Sequence, residues 1–500
     1  MNVDFSAHRH YSMETFLHIL KVIGLILLVL LSFNIIIFVH ELGHFLAARW
    51  RGLHVDRFQI WFGKPIWKKT INGVQYGLGS IPAGGFVALP QMAPMESIEG
   101  DNSDRKEPLP PIKPIDKIIV AFAGPLFSFL LAVFAACIIW WIGVPDKVVK
   151  TTEVGYVAAD MPAAKAGFQL GDKILKVQGT PVNGFQGNLD SVRELIIFSE
   201  GEEIEFLVER GGEEITLTSE FKAEDGSLFK RRGTRQVGVG PRYLLTVGPI
   251  KEGTPAHYSK MKEGDVIDAV NGEKIYSYGQ FTDLVKKQAS KLISLTVLRD
   301  GKPVELKTMA LTPSNGWKQH DDAELLPMLG VGFANDPPVL VYPTPGKQLK
   351  ESGMMMFTTI KKLTSTESSI GLDQLSGPVG IGRVQYQLLD SDYPINYIFY
   401  FWVIFNINLA IFNLLPFPVL DGGHITMALG EMIRKKPMNT RVLEYVQTAF
   451  VLMLLSMFVY VTIKDISHRD SKITTDTIPK EGPTFDLAPL KKAMGEQVAE

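Results

Sequence analysis

The stretch IIIFVHELGHFLAARW, residues 35–50, sets His40, Glu41 and His44 at the far end of a long apolar run. A run of about 20 apolar residues is long enough to span a bilayer, and this one covers residues 16–45. Its apolar core is too long, and its polar motif too far along, for a cleavable signal peptide. Three further segments reach spanning length, at residues 118–144, 395–415 and 442–463. Ionisable groups inside a span are costly and mark function, so the two imidazoles and the carboxylate need a chemical reason.

Composition narrows the classes. The chain has 500 residues, 46% of them hydrophobic, a net charge of −2 and a single cysteine, Cys137. Nothing in that balance suggests a nucleic-acid partner. One cysteine excludes an internal disulfide framework and a cysteine-based zinc site. The short connections carry the basic residues: Arg49, Arg51, Arg57, Lys64, Lys68, Lys69, Arg105, Lys106, Lys113 and Lys117 between spans one and two, and Arg434, Lys435, Lys436 and Arg441 between spans three and four. The positive-inside rule makes both loops cytoplasmic, which puts the long segment between spans two and three, and both termini, outside.

That long segment contains a repeat. Pro162 and Pro255, Gly171-Asp172 and Gly264-Asp265, and Gly179 and Gly272 recur at one offset of 93 residues, the mark of a duplicated unit. Each copy reads as a helical turn opened at proline, a Gly-Asp step and a short strand. VGVGPR from Val237 and LGVGFA from Leu329 close them. The pattern resembles the PDZ domain of bacterial proteases, which implies peptide binding by strand addition. The copies are expected at residues 150–242 and 243–335, followed by a juxtamembrane segment over 336–392. Earlier, Asn72-Gly73 between alternating residues predicts a hairpin within an apolar β-loop over residues 66–90. Such backbone can dip into a membrane only where protein or a water-filled cavity satisfies it.

His40 and His44 are i and i+4 on a helix, so both imidazoles can face one metal, with Glu41 beside them to act on a water there. Zinc suits nitrogen ligands, and a catalytic site needs a third protein ligand and one open position. The segment NLLPFPVLDGGH, residues 413–424, offers Asp421, with His424 as a rival. Pro416 and Pro418 break the helix before it. Asp before Gly is also a common turn or cap residue.

H-E-x-x-H in the first span with N-x-x-P-x-P-x-L-D-G in a later one resembles the site-2 protease family of intramembrane metalloproteases. The paired PDZ-like copies, IPAGGFVAL, AGPLFSFLLA and LSGPVGI resemble its regulator-of-sigma-E branch. The resemblance implies a polytopic α-helical membrane protein with four transmembrane helices, a membrane-dipping β-loop, and two tandem α+β PDZ domains inserted between spans two and three. The membrane halves are then residues 1–145 and 393–465. It implies one Zn2+ per chain held by His40, His44 and Asp421, Glu41 as general base, and Asn413 positioning substrate or stabilising the developing oxyanion. Gly84, Gly85, Phe86 and Val87 would pair with a substrate helix that has unwound. The substrates implied are single-span membrane proteins, such as trimmed anti-sigma factors or remnant signal peptides. A peptide or protein C-terminus could occupy a PDZ groove. The location implied is a bacterial inner membrane, with the active site toward the cytoplasm and the PDZ pair periplasmic.

One departure is Ser128, where the family has asparagine. Asn406 and Asn408 are expected to make helix–helix hydrogen bonds. The polar tail, residues 466–500, is expected to be flexible. Two other readings compete: an inactive membrane receptor that binds peptides through its PDZ pair, and a metal transporter with intramembrane histidines. The intact Glu41 and ligand set argue against the first, and the repeat against the second.

Overall fold

The computed structural model describes residues 5–92, 109–110, 112–146, 148–223, 232–317, 325–334, 339–365, 368, 370–371, 374–435, 440–467 and 482–495. The chain divides into two compact units. One joins Met1–Pro145, Leu340–Lys361 and Leu375–Ile466; the other joins Asp146–Val339, Lys362–Gln374 and Ser467–Glu500.

In the first unit, four helices are long and apolar enough to cross a membrane: Phe16–Arg51, Pro114–Ile142, Pro394–Asn413 and Tyr445–Ser467. The first outruns its apolar stretch because Ala47 and Ala48 stay helical and buried, and Arg51 reaches Asp116 of the second span at 2.6 Å. The third starts on Pro394, whose missing N–H is no loss in a first turn, and stops at Asn413 before Pro416. The first two spans pack backbone to backbone. A Cβ on Gly43 would strike the carbonyl of Ala123, the small-residue contact that lets membrane helices approach closely.

The expected β-loop is a full four-stranded sheet. Its strands are β1 (Arg57–Phe62), β2 (Trp67–Ile71), β3 (Val74–Leu78) and β4 (Ile81–Ala88), in the order β2-β3-β1-β4. Asn72 and Gly73 both take positive φ, 49° and 80°, as the predicted two-residue hairpin requires. β1 lies outside the predicted loop because no turn signal marks its start; pairing with β3 and β4 makes it a strand.

The segment expected to be merely juxtamembrane forms two helices, Pro345–Thr364 and Pro378–Leu389. The second is tied to the spans. Buried Gln385 and Trp402 both donate to the Ser32 hydroxyl of the first span. Asp465 at the end of the fourth span accepts from the Gly380 N–H at 2.7 Å. Side chains at Gly377 or Gly380 would crowd that carboxylate, which explains the glycines of LSGPVGI. Asn406 is fully buried, but its amide donates to Trp402 of its own helix at 2.9 Å, and the side-chain oxygens of Asn406 and Asn408 have no partner. The expected interhelical bonds are therefore not made among the described residues.

In the second unit, one element order occurs twice. Strand Val154–Val157, helix Pro162–Lys165, strand Lys173–Val177, helix Val192–Ile197, hairpin Glu203–Arg210 with Glu213–Glu220, and strand Val239–Pro241 form the first copy. Leu245–Ile250, Pro255–Tyr258, Val266–Val270, Tyr278–Lys287, Leu292–Arg299 with Lys302–Met309, and Val331–Phe333 form the second. Each copy has its own core, around Ile174, Ile204 and Phe206 in one and Ile267, Ile293 and Leu295 in the other. The repeated Gly-Asp now has a physical role. Gly171 and Gly264 turn with φ near 87° and 86°. Asp172 and Asp265 then accept two bonds each from Arg210 and Arg299 at 2.7–2.8 Å.

Of the tail expected to be flexible, residues 468–481 and 496–500 lie outside the described residues. Residues 482–495 are ordered, with a short helix Ala488–Ala493 and Leu490 fully buried. Average composition conceals Phe485, Leu487 and Leu490, three apolar anchors in a polar setting.

Burial alone would raise the Asp265 pKa, but the bonds from Arg299 and the Lys262 N–H outweigh it and hold the carboxyl below the ordinary carboxylate value. A depressed folded pKa contributes stability that is present above the unfolded pKa and lost as pH falls through the folded one. Arg299→Ala, which orphans a buried carboxylate, should cost the second copy about 3 kcal/mol at neutral pH. The deficit should shrink under acid, as followed by denaturant unfolding at stepped pH.

Candidate metal centre

The metal-facing geometry is complete without rearrangement. His40 Nε2 stands 3.4 Å from Asp421 Oδ2, His44 Nε2 stands 3.3 Å from Asp421 Oδ1, and the two Nε2 atoms are 3.3 Å apart. Ligands about 2.1 Å from a tetrahedral centre lie about 3.4 Å from one another, so this donor set fits one zinc ion. Among the described residues, these three form the group of potential ligands that could hold a metal. His424 lies in the wall of the same cavity but outside that group, so the rival ligand is not supported.

The second span orients both imidazoles. His44 Nδ1 donates to the Val120 carbonyl at 2.8 Å, and His40 Nδ1 pairs with Ser128 Oγ at 3.0 Å. Occupying Nδ1 leaves each Nε2 lone pair free for a metal. Ser128 is fully buried, and its hydroxyl positions the His40 ring directly. Gly124 makes room, because a Cβ there would land on the His44 ring. In the sequence, AGPLFS reads only as a family likeness. The signal it carries is a glycine and a hydroxyl one helical turn apart in a span.

Asp421 comes from elsewhere in the chain. The prolines after Asn413 turn the backbone, and a new helix, Asp421–Arg434, begins on Asp421 itself. Gly422 packs on the carbonyls of Leu414 and Leu415, and Gly423 on that of Phe417, with no room for side chains. Lys117 of the second span holds this helix through Glu431 at 2.8 Å.

The cavity beside the ligands has a volume of about 220 Å3 and is lined by Glu41, Gly85, Phe86, Val87, Asn413 and Leu420, among others. Glu41 faces β4. A Cβ on Gly85 would lie 3.4 Å from Glu41 Cγ, and the Val87 backbone lies close enough to act on the Glu41 carboxyl. Gly84 has φ of 70°, and a side chain there would collide with Phe62. Every residue singled out from the sequence as catalytic, metal-binding or substrate-binding lies in or beside this one cavity, except that Gly84 touches it only through its neighbours.

The family model for peptidase family M50 matches residues 28–457. The chain belongs to peptidase family M50. Its relatives include a Neisseria meningitidis protein named as a zinc metalloprotease, 30% identical over 85% of this chain and 95% of its own. The protease RseP of Yersinia pestis is 27% identical over 83% of this chain and 92% of its own. The regulator of sigma-E protease RseP of Escherichia coli is 26% identical over 88% and 97%. This M50 peptidase is thus a membrane metalloprotease whose cofactor is zinc, and the site-2 protease assignment made from the two motifs holds.

Removing the Ser128 hydroxyl should loosen His40 without unfolding the spans. Ser128→Ala is expected to weaken zinc binding about 10- to 100-fold, read as zinc content after dialysis against chelators of graded strength. Gly124→Ala, which displaces His44, should yield purified protein without zinc.

Proposed function

We propose that this protein is an intramembrane endopeptidase that cleaves the transmembrane segments of single-span membrane proteins, such as trimmed anti-sigma factors and remnant signal peptides. The observation that carries this reading is the position of β4. It ends the sheet order, so it can accept one further strand, and Gly85 and Val87 set it against Glu41. A helical peptide bond is shielded by its own hydrogen bonds. A substrate unwound onto Gly84, Gly85, Phe86 and Val87 regains backbone partners and passes the carboxylate in extended form.

His40, His44 and Asp421 would hold the ion, which when bound supplies a Lewis acid and lowers the pKa of water toward about 7. Glu41 takes the proton from the attacking water and delivers it to the leaving amine. Asn413, at the end of the third span, donates its amide to the scissile carbonyl oxygen as charge develops. The ordered protein around the cavity limits bulk water, which strengthens each of these interactions.

The repeated copies are PDZ domains in this reading. In the second, Phe333 packs edge-on against Tyr278 and Phe281, with centroids 5.4 and 5.5 Å apart. Its own aromatics fill the seam between closing strand and helix where a peptide would add. That favours a filter that excludes substrates with bulky outer domains over a peptide receptor. The basic short loops support cytoplasmic placement of the site and an outer, periplasmic placement of the copies in a bacterial inner membrane.

The decisive comparison is cleavage of a pre-trimmed single-span substrate by wild type and Glu41→Gln in the same membranes. Wild type should cleave; Glu41→Gln should retain zinc and lose at least about 100-fold in rate. Equal cleavage by both would sink the mechanism. Asn413→Ala should lower kcat about 100-fold with little change in KM.

A further inference from the structure

The C-terminal stretch GPTFDLAPLKKAM, residues 482–494, lies on the second repeat copy. Leu490 is fully buried in a cluster with Met309 and Leu311, and Phe485, Leu487 and Tyr258 pack around it. Backbone polarity is matched as well. Ser314 donates its N–H to the Thr484 carbonyl at 2.7 Å, Asn315 donates its amide to the Gly482 carbonyl at 3.1 Å, and the Thr484 N–H returns to Asn315 Oδ1 at 3.3 Å. Lys491 sits 5.8 Å from the centre of the Tyr258 ring.

The first copy shows what this face looks like without a tail. The Asp-Arg pairs, Asp172–Arg210 and Asp265–Arg299, align the copies: the Gly-Asp region recurs at 93 residues and the hairpin at 299 − 210 = 89. Lys222 bridges to Gln236 as Leu311 bridges to Met328, which fixes the same register beyond the hairpin. Tyr258, Met309 and Leu311 therefore correspond to Lys165, Glu220 and Lys222. The first three are apolar or aromatic and covered; the other three are charged and exposed. Two copies of one fold differ in chemistry where, among the described residues, the tail lies on only one of them.

We propose that the face built from Tyr258, Met309, Leu311, Ser314 and Asn315 is a peptide-docking site, and that its ligand is this chain's own C-terminal segment, read through Phe485, Leu487 and Leu490. Covalent linkage within one chain would supply an effective concentration on the order of millimolar. A segment that binds in trans with a Kd on the order of 10–100 μM would then stay docked in the intact chain, yet a competing peptide of similar pattern could replace it.

The test uses the full-length protein in detergent, the chain ended after Lys480, and Leu490→Asp, each followed by hydrogen exchange. Truncation and Leu490→Asp should both speed exchange about tenfold or more over residues 254–259 and 306–311, with the first copy unchanged as internal reference. A synthetic peptide of residues 480–496 added to the truncated chain should restore protection at tens of micromolar, and its Leu490→Asp version should not. Unchanged exchange on truncation, or a peptide that restores nothing, overturns the proposal. Loss of protection across the whole second copy would make the segment an integral part of that fold and equally overturn the ligand reading. Cleavage is not measured, so the outcome is independent of the proposed proteolysis.

Discussion

The close approach of the first two spans at Gly43, Ala123 and Gly124 is the constraint on which the site depends. Without a side chain at Gly43 the two backbones meet, and without one at Gly124 the His44 ring has somewhere to go. Only at that separation can the Val120 carbonyl and the Ser128 hydroxyl reach the two Nδ1 atoms. A larger residue at either glycine would move an imidazole by more than a zinc site tolerates, because ligand distances are confined to a narrow range. The small-residue packing that joins membrane helices here also sets the coordination geometry.

The third candidate ligand, Asp421, is delivered by a different device. A carboxylate in apolar surroundings is expensive unless paired, and Asp421 is accommodated because two imidazoles face it and a helix begins at it. The first turn of a helix favours a negative charge. The glycines after Asp421 fold the proline turn tightly beneath that helix, and Lys117–Glu431 fixes its far end to the second span. The second span thus touches every ligand-bearing helix. It contributes no ligand itself but orients those of its neighbours.

In the proposed reading, the β-sheet would solve a problem particular to chemistry on helical membrane substrates. An open strand edge is a hazard in a soluble protein, since it invites pairing. Beside the half-buried Glu41 carboxylate, the same property would become a way to receive an unwound chain. The close contact of Gly85 with Glu41 keeps strand and carboxylate in register. In the second unit the repeat uses one polar lock twice, a buried aspartate held by an arginine from the neighbouring hairpin. The two copies share it although their surfaces have diverged.

Much of this was legible in the residues. The four spans, the H-E-x-x-H spacing, Asp421, the Asn72-Gly73 hairpin and the period of the repeat all follow from local patterns of polarity and turn chemistry. Those patterns act over a few residues, or recur at a fixed interval, and need no partner to be seen. What tertiary structure alone decided depends on residues far apart in sequence. β1 is a strand because β3 and β4 flank it. Ser128 holds the His40 ring because His40 arrives beside it, 88 positions away. The segment after the fourth span reads as polar tail until Met309 and Leu311 offer Leu490 a place to be buried. A local pattern states what a segment can become, whereas a close approach between distant segments decides which side chains meet, and only the folded chain contains that information.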